Sequence, residues 1–214
     1  MIITEMIIMK ETLLNPSQLF NDITQDINEN KHYLHDVLYD IETSYNEFHH
    51  CYFEDCQFQD ITFENGYFLN CTFQNCDLSN IKINNTLLRN VHFINCKIMG
   101  TDFSESLFDS VTLQECLCRF ANFSMMKNKS VIFDHCDLSH ASFIETYMKK
   151  TTLSFCCLHH CEIFHSSLAH IDLSSCELDN IITSPADIQG AIIDEYQASS
   201  LIHLLKVKIK KSSI

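Results

Sequence analysis

The sequence holds only 3 glycines, 2 prolines and no tryptophan in 214 residues. So few turn formers exclude a fold organised by tight hairpins, whose two-residue turns depend on glycine. Basic residues are also few: 14 lysines and arginines stand against 28 acids, a formal net charge of −14. That balance excludes direct nucleic-acid binding as a main role, because duplex binding needs basic side chains at the phosphates. No apolar run approaches the ~20 residues of a membrane span. The opening stretch MIITEMIIMKETLL is interrupted by Glu5, Lys10 and Glu11. It has no basic leader before an apolar run of normal length, so it predicts no secretory signal and a cytoplasmic protein.

Cysteine and phenylalanine are abundant, 12 and 16 residues, and 46% of the chain is hydrophobic. A sizeable core is therefore available. Twelve cysteines would suggest a disulfide framework in a small secreted chain, but without a signal that reading is weak. Their spacing supplies another. From Phe48 to Ile193, every fifth residue is Phe, Leu, Ile or Met, with exceptions only at Cys118, Asn128 and Thr183. Two places before each of these centres stands a mostly small residue, and all the cysteines except Cys118 and Cys157 occupy that place.

A period of five fits neither a strand nor a helix. It fits a chain that turns a corner after each unit, so that the centre and the small residue both point inward. Four corners close a square coil of 20 residues. Cys56, Cys76, Cys96, Cys116, Cys136, Cys156 and Cys176 recur at that interval, as expected if residues 20 apart stack at the spacing of neighbouring strands, about 4.8 Å. This stacked column is read as a set of small buried hydrophobes. It is not read as a metal site, because zinc ligands converge on a point. The His49–His50 and His159–His160 pairs are read as solvated corner residues that point apart. No catalytic, cofactor or metal residues are assigned.

The period-five register resembles that of the pentapeptide-repeat family, over roughly residues 46–195. The resemblance implies an all-β solenoid, a right-handed quadrilateral β-helix, with no interior cavity and no enzymatic site. The expected organisation is an N-terminal extension over 1–45, the β-helix over 46–195, and a C-terminal helix and tail over 196–214. One corner departs from the pattern: Met126 is large for a small position, and Asn128 is polar at a centre. Either the corner bulges outward or Asn128 pairs with backbone inside.

Sorting the units by 20 yields four walls. The wall centred on Phe48, Phe68 and Leu88 shows an outward apolar stripe at Tyr67, Leu87 and Leu107, interrupted at Lys127 and resumed at Tyr147. It also carries Arg89, Lys127, Lys129, Lys149 and Lys150, which leaves the other three walls acidic. In NPSQLFNDITQDI, Asn15 is a candidate N-cap and Pro16 a first helical residue, with Leu19, Ile23 and Ile27 on one face beside Phe20. This predicts a short helix near 16–28 that packs on the apolar stripe, and YLHDVLYDI (33–41) either extends it or begins the first coil. After Ile193, DEYQASSLIHLLK predicts a helix with Ala198, Leu201, Ile202 and Leu205 on one face, able to cap the solenoid and to join two copies.

The stretch ADIQGAIIDEYQASSLIHLL (186–205) closely resembles the C-terminal end of Qnr proteins, and ANFSMMKNKSVIFDHCDLSHASF resembles a Qnr segment in its spacing and its His-Cys. Qnr proteins bind DNA gyrase and topoisomerase IV and protect them from quinolones. The resemblance implies a homodimer joined through Tyr196, Ala198, Leu201, Ile202, Leu204 and Leu205. It also implies an acidic rod that imitates DNA. The residues expected to carry that charge are Glu54, Asp55, Asp60, Glu64, Asp77, Asp102, Glu105, Glu115, Asp134, Asp137, Glu162, Asp172, Glu177 and Asp179. The unbroken register leaves no room for the projecting loops many Qnr proteins carry. A member without them could inhibit gyrase without protecting it. The alternative reading is a scaffold that holds another protein on its apolar wall.

Overall fold

A computed structural model describes residues 18–23 and 27–206. Every strand pair in it is parallel, and almost every partner is 20 residues away. Leu87 pairs with Leu107, Phe53 with Phe73 and Val131 with Thr151. Single bridges continue the same interval along one wall, from Gln57 through Asp77, Lys97, Leu117, Asp137 and Cys157 to Glu177. The chain is a four-walled β-solenoid of about eight coils, the quadrilateral β-helix that the period of five predicts.

The corners explain why so little glycine suffices. The residue two places after each centre takes a left-handed conformation at nearly every corner, for example Asp55 (φ 53), Asn75 (φ 55), Asn95 (φ 51) and His135 (φ 52). Asn, Asp and His tolerate that region better than other non-glycine residues, and they fill most of these positions. Several asparagines also bond along the rod. Asn90 Nδ2 donates to Asn70 Oδ1 at 2.8 Å, and Asn95 Nδ2 to Asn75 Oδ1 at 2.9 Å. Asn85 Nδ2 likewise donates to Asn65 Oδ1.

The centres fill the interior. Phe53, Phe73 and Phe93 stack in succession with centroids 4.4 and 5.0 Å apart, and Phe103, Phe123 and Phe143 stack at 5.4 and 5.0 Å. Rings from adjacent walls meet edge to face, as Phe68 and Phe73 do at 5.7 Å, an arrangement that suits the ring quadrupoles.

The solenoid begins earlier than the expected boundary at residue 45. Residues 27–29, 32–34 and 37–44 already pair with the coil that follows them, with Tyr33 and Leu38 buried as centres. The Phe-rich pattern hides this coil, because its centres are Asn28, Tyr33, Leu38 and Thr43. The expected helix near 16–28 is correspondingly shorter, Gln18–Asp22; Asn15 and Pro16 lie outside the described residues. Nor does this helix cover the apolar stripe. Leu19 and Ile23 are buried in the core cluster at the end of the first coil. Asp36 Oδ2 accepts from Leu19 N at 3.2 Å, Asp22 Oδ2 accepts from Tyr33 Oη at 3.1 Å, and Ile23 O accepts from Asn46 Nδ2 at 2.7 Å. The segment is an end cap. Ile27, expected on its apolar face, is a strand residue exposed to solvent.

The irregular corner resolves inward. Met126 and Asn128 are both buried, and Asn128 Nδ2 donates to Thr151 Oγ1 at 2.8 Å, a side chain and not the backbone. The strand over 127–134 slips register there, Asp109 pairing with Ser130, as a small bulge does.

Candidate interaction surfaces

The small positions do more than save space. Each cysteine in the expected column is buried and free of disulfides. Its thiol faces the carbonyl 23 residues earlier, a centre of the previous coil: Cys56 Sγ donates to Tyr33 O at 3.4 Å, Cys96 to Phe73 O at 3.3 Å, and Cys136 to Leu113 O at 3.3 Å. Hydroxyls do the same elsewhere, with Thr101 donating to Leu78 O at 2.6 Å and Ser106 to Ile83 O at 2.7 Å. The small residue thus ties one coil to the next, which accounts for the mixture of Cys, Ser and Thr. Contact with Cys136, together with burial, pushes the Cys156 thiol up to about 12. Burial likewise pushes Cys161 up. All seven thiols of the column are buried, so it serves as packing and presents no exposed nucleophile.

The fourteen acids expected on the outer surface occupy the three walls other than the apolar one, but they do not form a free fringe. Asp77, Asp102, Asp137 and Asp172 each accept from the backbone N–H two residues on, that of Ser79, Ser104, Ser139 and Ser174. These are local bonds that shape the unit. Asp172 is held below the usual carboxylate range by the Ser174 hydroxyl and N–H. Two of these also face cations, Lys97 3.6 Å from Asp77 and Arg119 3.9 Å from Asp137, and the His32 ring lies 3.0 Å from Glu54. His35 and His135 stand beside Asp55 and Asp134 at 3.5 and 2.9 Å. Asp60, Glu64, Glu105, Glu115 and Glu162 lie along edges and corners, with φ positive at Asp60, Glu105 and Glu115, and Glu177 and Asp179 stand beside His159.

The apolar wall is uncovered among the described residues. Tyr67 is 40% exposed and Tyr147 54%, while Leu87 and Leu107 are half-buried between them. Beside the stripe, Asp109 sits between Arg89 at 3.0 Å and Lys129 at 3.2 Å, a three-coil charge stack. Desolvation opposes ionisation of Asp109, but the two cations prevail and hold its carboxyl below the usual range.

At the C-terminal end the expected single helix is a run of three short turns, Glu195–Gln197, Ala198–Leu201 and Ile202–Leu205. Asp194 caps the first, accepting from Tyr196 N at 2.9 Å and donating its own N–H to Gln197 Oε1 at 2.7 Å. Gln197 Nε2 then bonds Leu173 O at 2.8 Å, fastening the segment to the last coil. Leu201 packs against the core. A groove of about 250 Å³ is lined by Pro185, Ile188, Ile193, Ala198, Leu201, Ile202, Leu204 and Leu205. Five of the six expected interface residues therefore share one apolar groove. Tyr196 is outside that lining and 80% exposed.

One constellation escapes the sequence reading. On the wall centred on Leu138, Leu158 and Leu178, Cys157, His159 and Glu177 bring a sulfur, a ring nitrogen and a carboxylate oxygen within 4.8 Å of one another. His159 Nε2 lies 3.3 Å from Glu177 Oε2 and 3.8 Å from Asp179 Oδ2. The reading of the histidine pairs as solvated corner residues is thus corrected for His159, and for His49, which lies 3.0 Å from Glu47 and 3.3 Å from Glu29. His160 does point elsewhere, stacking on His140 at 4.9 Å. The signal was present in the sequence: Cys-x-His and Glu-x-Asp stand 20 residues apart.

No helix among the described residues is long and apolar enough to cross a membrane. A pentapeptide repeat region profile matches residues 46–125, and a profile of pentapeptide repeats (8 copies) matches 132–163. A search of curated proteins found no significant match. Among solved structures, the chain is similar to a trypsin-treated form of QnrB1, a plasmid-mediated fluoroquinolone resistance protein. Identity is 22%, coverage is 88% of this chain and 92% of that one, and the TM-score is 0.39. It is also similar to HetL, a pentapeptide repeat protein involved in heterocyst differentiation regulation from the cyanobacterium Nostoc sp. strain PCC 7120, at 16% identity, 86% and 90% coverage and a TM-score of 0.44. The two profiles together span just over half of the sequence, their repeats are the coils seen in the structure, and the chain belongs to the pentapeptide-repeat family.

Proposed function

We propose that this protein acts by binding and not by catalysis, as an acidic rod that enters the DNA-binding groove of a type II topoisomerase, DNA gyrase or topoisomerase IV. The observation that carries this reading is the charge: a net of −14 over the chain, with most of the acids on three walls of a regularly repeating solid. A basic groove shaped for duplex DNA is complementary to such a surface. The Qnr-like sequence 186–205 and the apolar groove it forms support pairing of two rods end to end. Eight coils at about 4.8 Å make roughly 40 Å per subunit and about 80 Å per dimer. Purified protein, titrated into a gyrase supercoiling assay with and without a fluoroquinolone, should inhibit supercoiling at high concentration or relieve drug inhibition. No change in either arm well above micromolar protein contradicts the proposal.

A second reading has its own observation. The stripe of Tyr67, Leu87 and Leu107 lines a surface depression with Tyr45 and Gly66, and an exposed apolar patch of this kind marks a protein-binding surface. A scaffold role would survive charge reversal on the acidic walls and fail on Leu87→Glu. The topoisomerase role has the opposite dependence.

A further inference from the structure

We propose that Cys157, His159, Glu177 and Asp179 form a binding site for a divalent transition cation, best suited to zinc. The geometry follows from the coil. Residues two apart on a strand point to the same side, so Cys157 and His159 both face outward around the buried centre Leu158. The next coil places Glu177 directly against Cys157, the two being bridge partners, and Asp179 follows two residues on. Three donors thus lie within 4.8 Å of one another, and Asp179 Oδ2, 3.8 Å from His159 Nε2, stands within reach as a fourth.

The donors suit the ion. A thiolate, an imidazole and carboxylates are the groups zinc takes in tetrahedral sites. With zinc–nitrogen and zinc–oxygen bonds of about 2.0–2.2 Å and a zinc–sulfur bond of about 2.3 Å, the edges of such a tetrahedron are roughly 3.3–3.8 Å. The His159 Nε2 distances of 3.3 Å to Glu177 Oε2 and 3.8 Å to Asp179 Oδ2 fall on that range, and the Cys157 sulfur lies within 4.8 Å of both the histidine nitrogen and the glutamate oxygen. Small side-chain rotations close the remainder.

Three further observations point to a ligand. His159 Nε2 is shielded from solvent yet makes no aligned hydrogen bond, which is costly for a buried polar atom unless something else occupies it. Cys157 is the one cysteine of the twelve that is not buried, and it faces outward where the column cysteines face inward. The Cys157 thiol lies 3.1 Å from the Ser139 hydroxyl, whose single proton can turn from Asp137 Oδ1, 2.6 Å away, to the sulfur when that sulfur is a metal-bound thiolate, an outer contact of the kind metal ligands commonly have.

The test uses the full chain with Co²⁺ and Zn²⁺ as probes. Cobalt should bind at one equivalent with a thiolate-to-cobalt charge-transfer band in the near ultraviolet and the strong visible bands of tetrahedral geometry. Cys157→Ser should abolish the charge-transfer band, and both Cys157→Ser and His159→Gln should weaken binding at least tenfold. Independently, an aromatic disulfide reagent should label one thiol per native chain. Zinc should slow that labelling at least tenfold, and EDTA should restore it. All these side chains face outward, so the variants keep the coil, which circular dichroism checks. Absence of stoichiometric binding, binding unchanged in Cys157→Ser, or thiol reactivity indifferent to zinc would each overturn the proposal.

Discussion

A thiol or hydroxyl two places before each centre has two tasks, to leave room for a large neighbour and to donate to a carbonyl of the previous coil. Cys96 shows both, buried among the phenylalanines and 3.3 Å from Phe73 O. Cys96→Ser keeps the donor and the size, and should cost about 1 kcal/mol in denaturant midpoint analysis, the scale of one imperfectly exchanged hydrogen bond. Cys96→Leu adds volume that the stacked rings cannot yield and removes the donor, and should cost about 2–4 kcal/mol. Equal effects of the two substitutions would mean that the position is merely a space filler. The same residue scale shows where sequence reasoning stops. The inward Cys column was legible because its interval is constant. The site at Cys157 was not, since its ligands come from two coils and the outward positions follow no composition rule. The alternation of outward Cys, His, Glu and Asp becomes a cluster only when the coils are superimposed.

At the scale of elements, the body of the rod was legible and its ends were not. Repetition made the centres from Phe48 to Ile193 readable, because each unit meets the same environment as its neighbours. The first coil, from residue 27 to 44, has Asn28 and Thr43 among its centres and so reads as an extension, although its backbone pairs fully with the next coil. This coil meets the capping segment with Leu19 and Ile23 on its outer side in place of another coil, so its centres need not repeat the apolar pattern. The C-terminal segment was legible as helical and apolar. Its division into three short turns was not, because it follows from the bonds of Gln197 to the last coil. These turns leave Leu205 64% exposed at the rim of the apolar groove. Leu205→Glu should therefore convert a dimer to a monomer in light scattering while leaving the melting curve of the rod in place. A dimer that persists would put the junction on another surface.

At the scale of the molecule, the acids are shared between two tasks. Some fasten corners or pair with Lys97, Arg119 and histidines, so the field outside the rod is weaker than the count of carboxylates suggests. The remaining net charge still far exceeds balance, and its effect should be long-ranged only within a Debye length of about 8 Å at physiological salt. Rod and duplex DNA would then compete for one groove, with an affinity that falls as salt rises. The most direct measurement is displacement of fluorescently labelled rod from DNA gyrase by a linear duplex, read by anisotropy at several salt concentrations. The account predicts mutual exclusion, with rod binding weakened at least tenfold between 50 and 300 mM salt, roughly the behaviour of a charge-driven interface. A ternary complex in which gyrase holds rod and duplex together, or binding indifferent to salt, would contradict it.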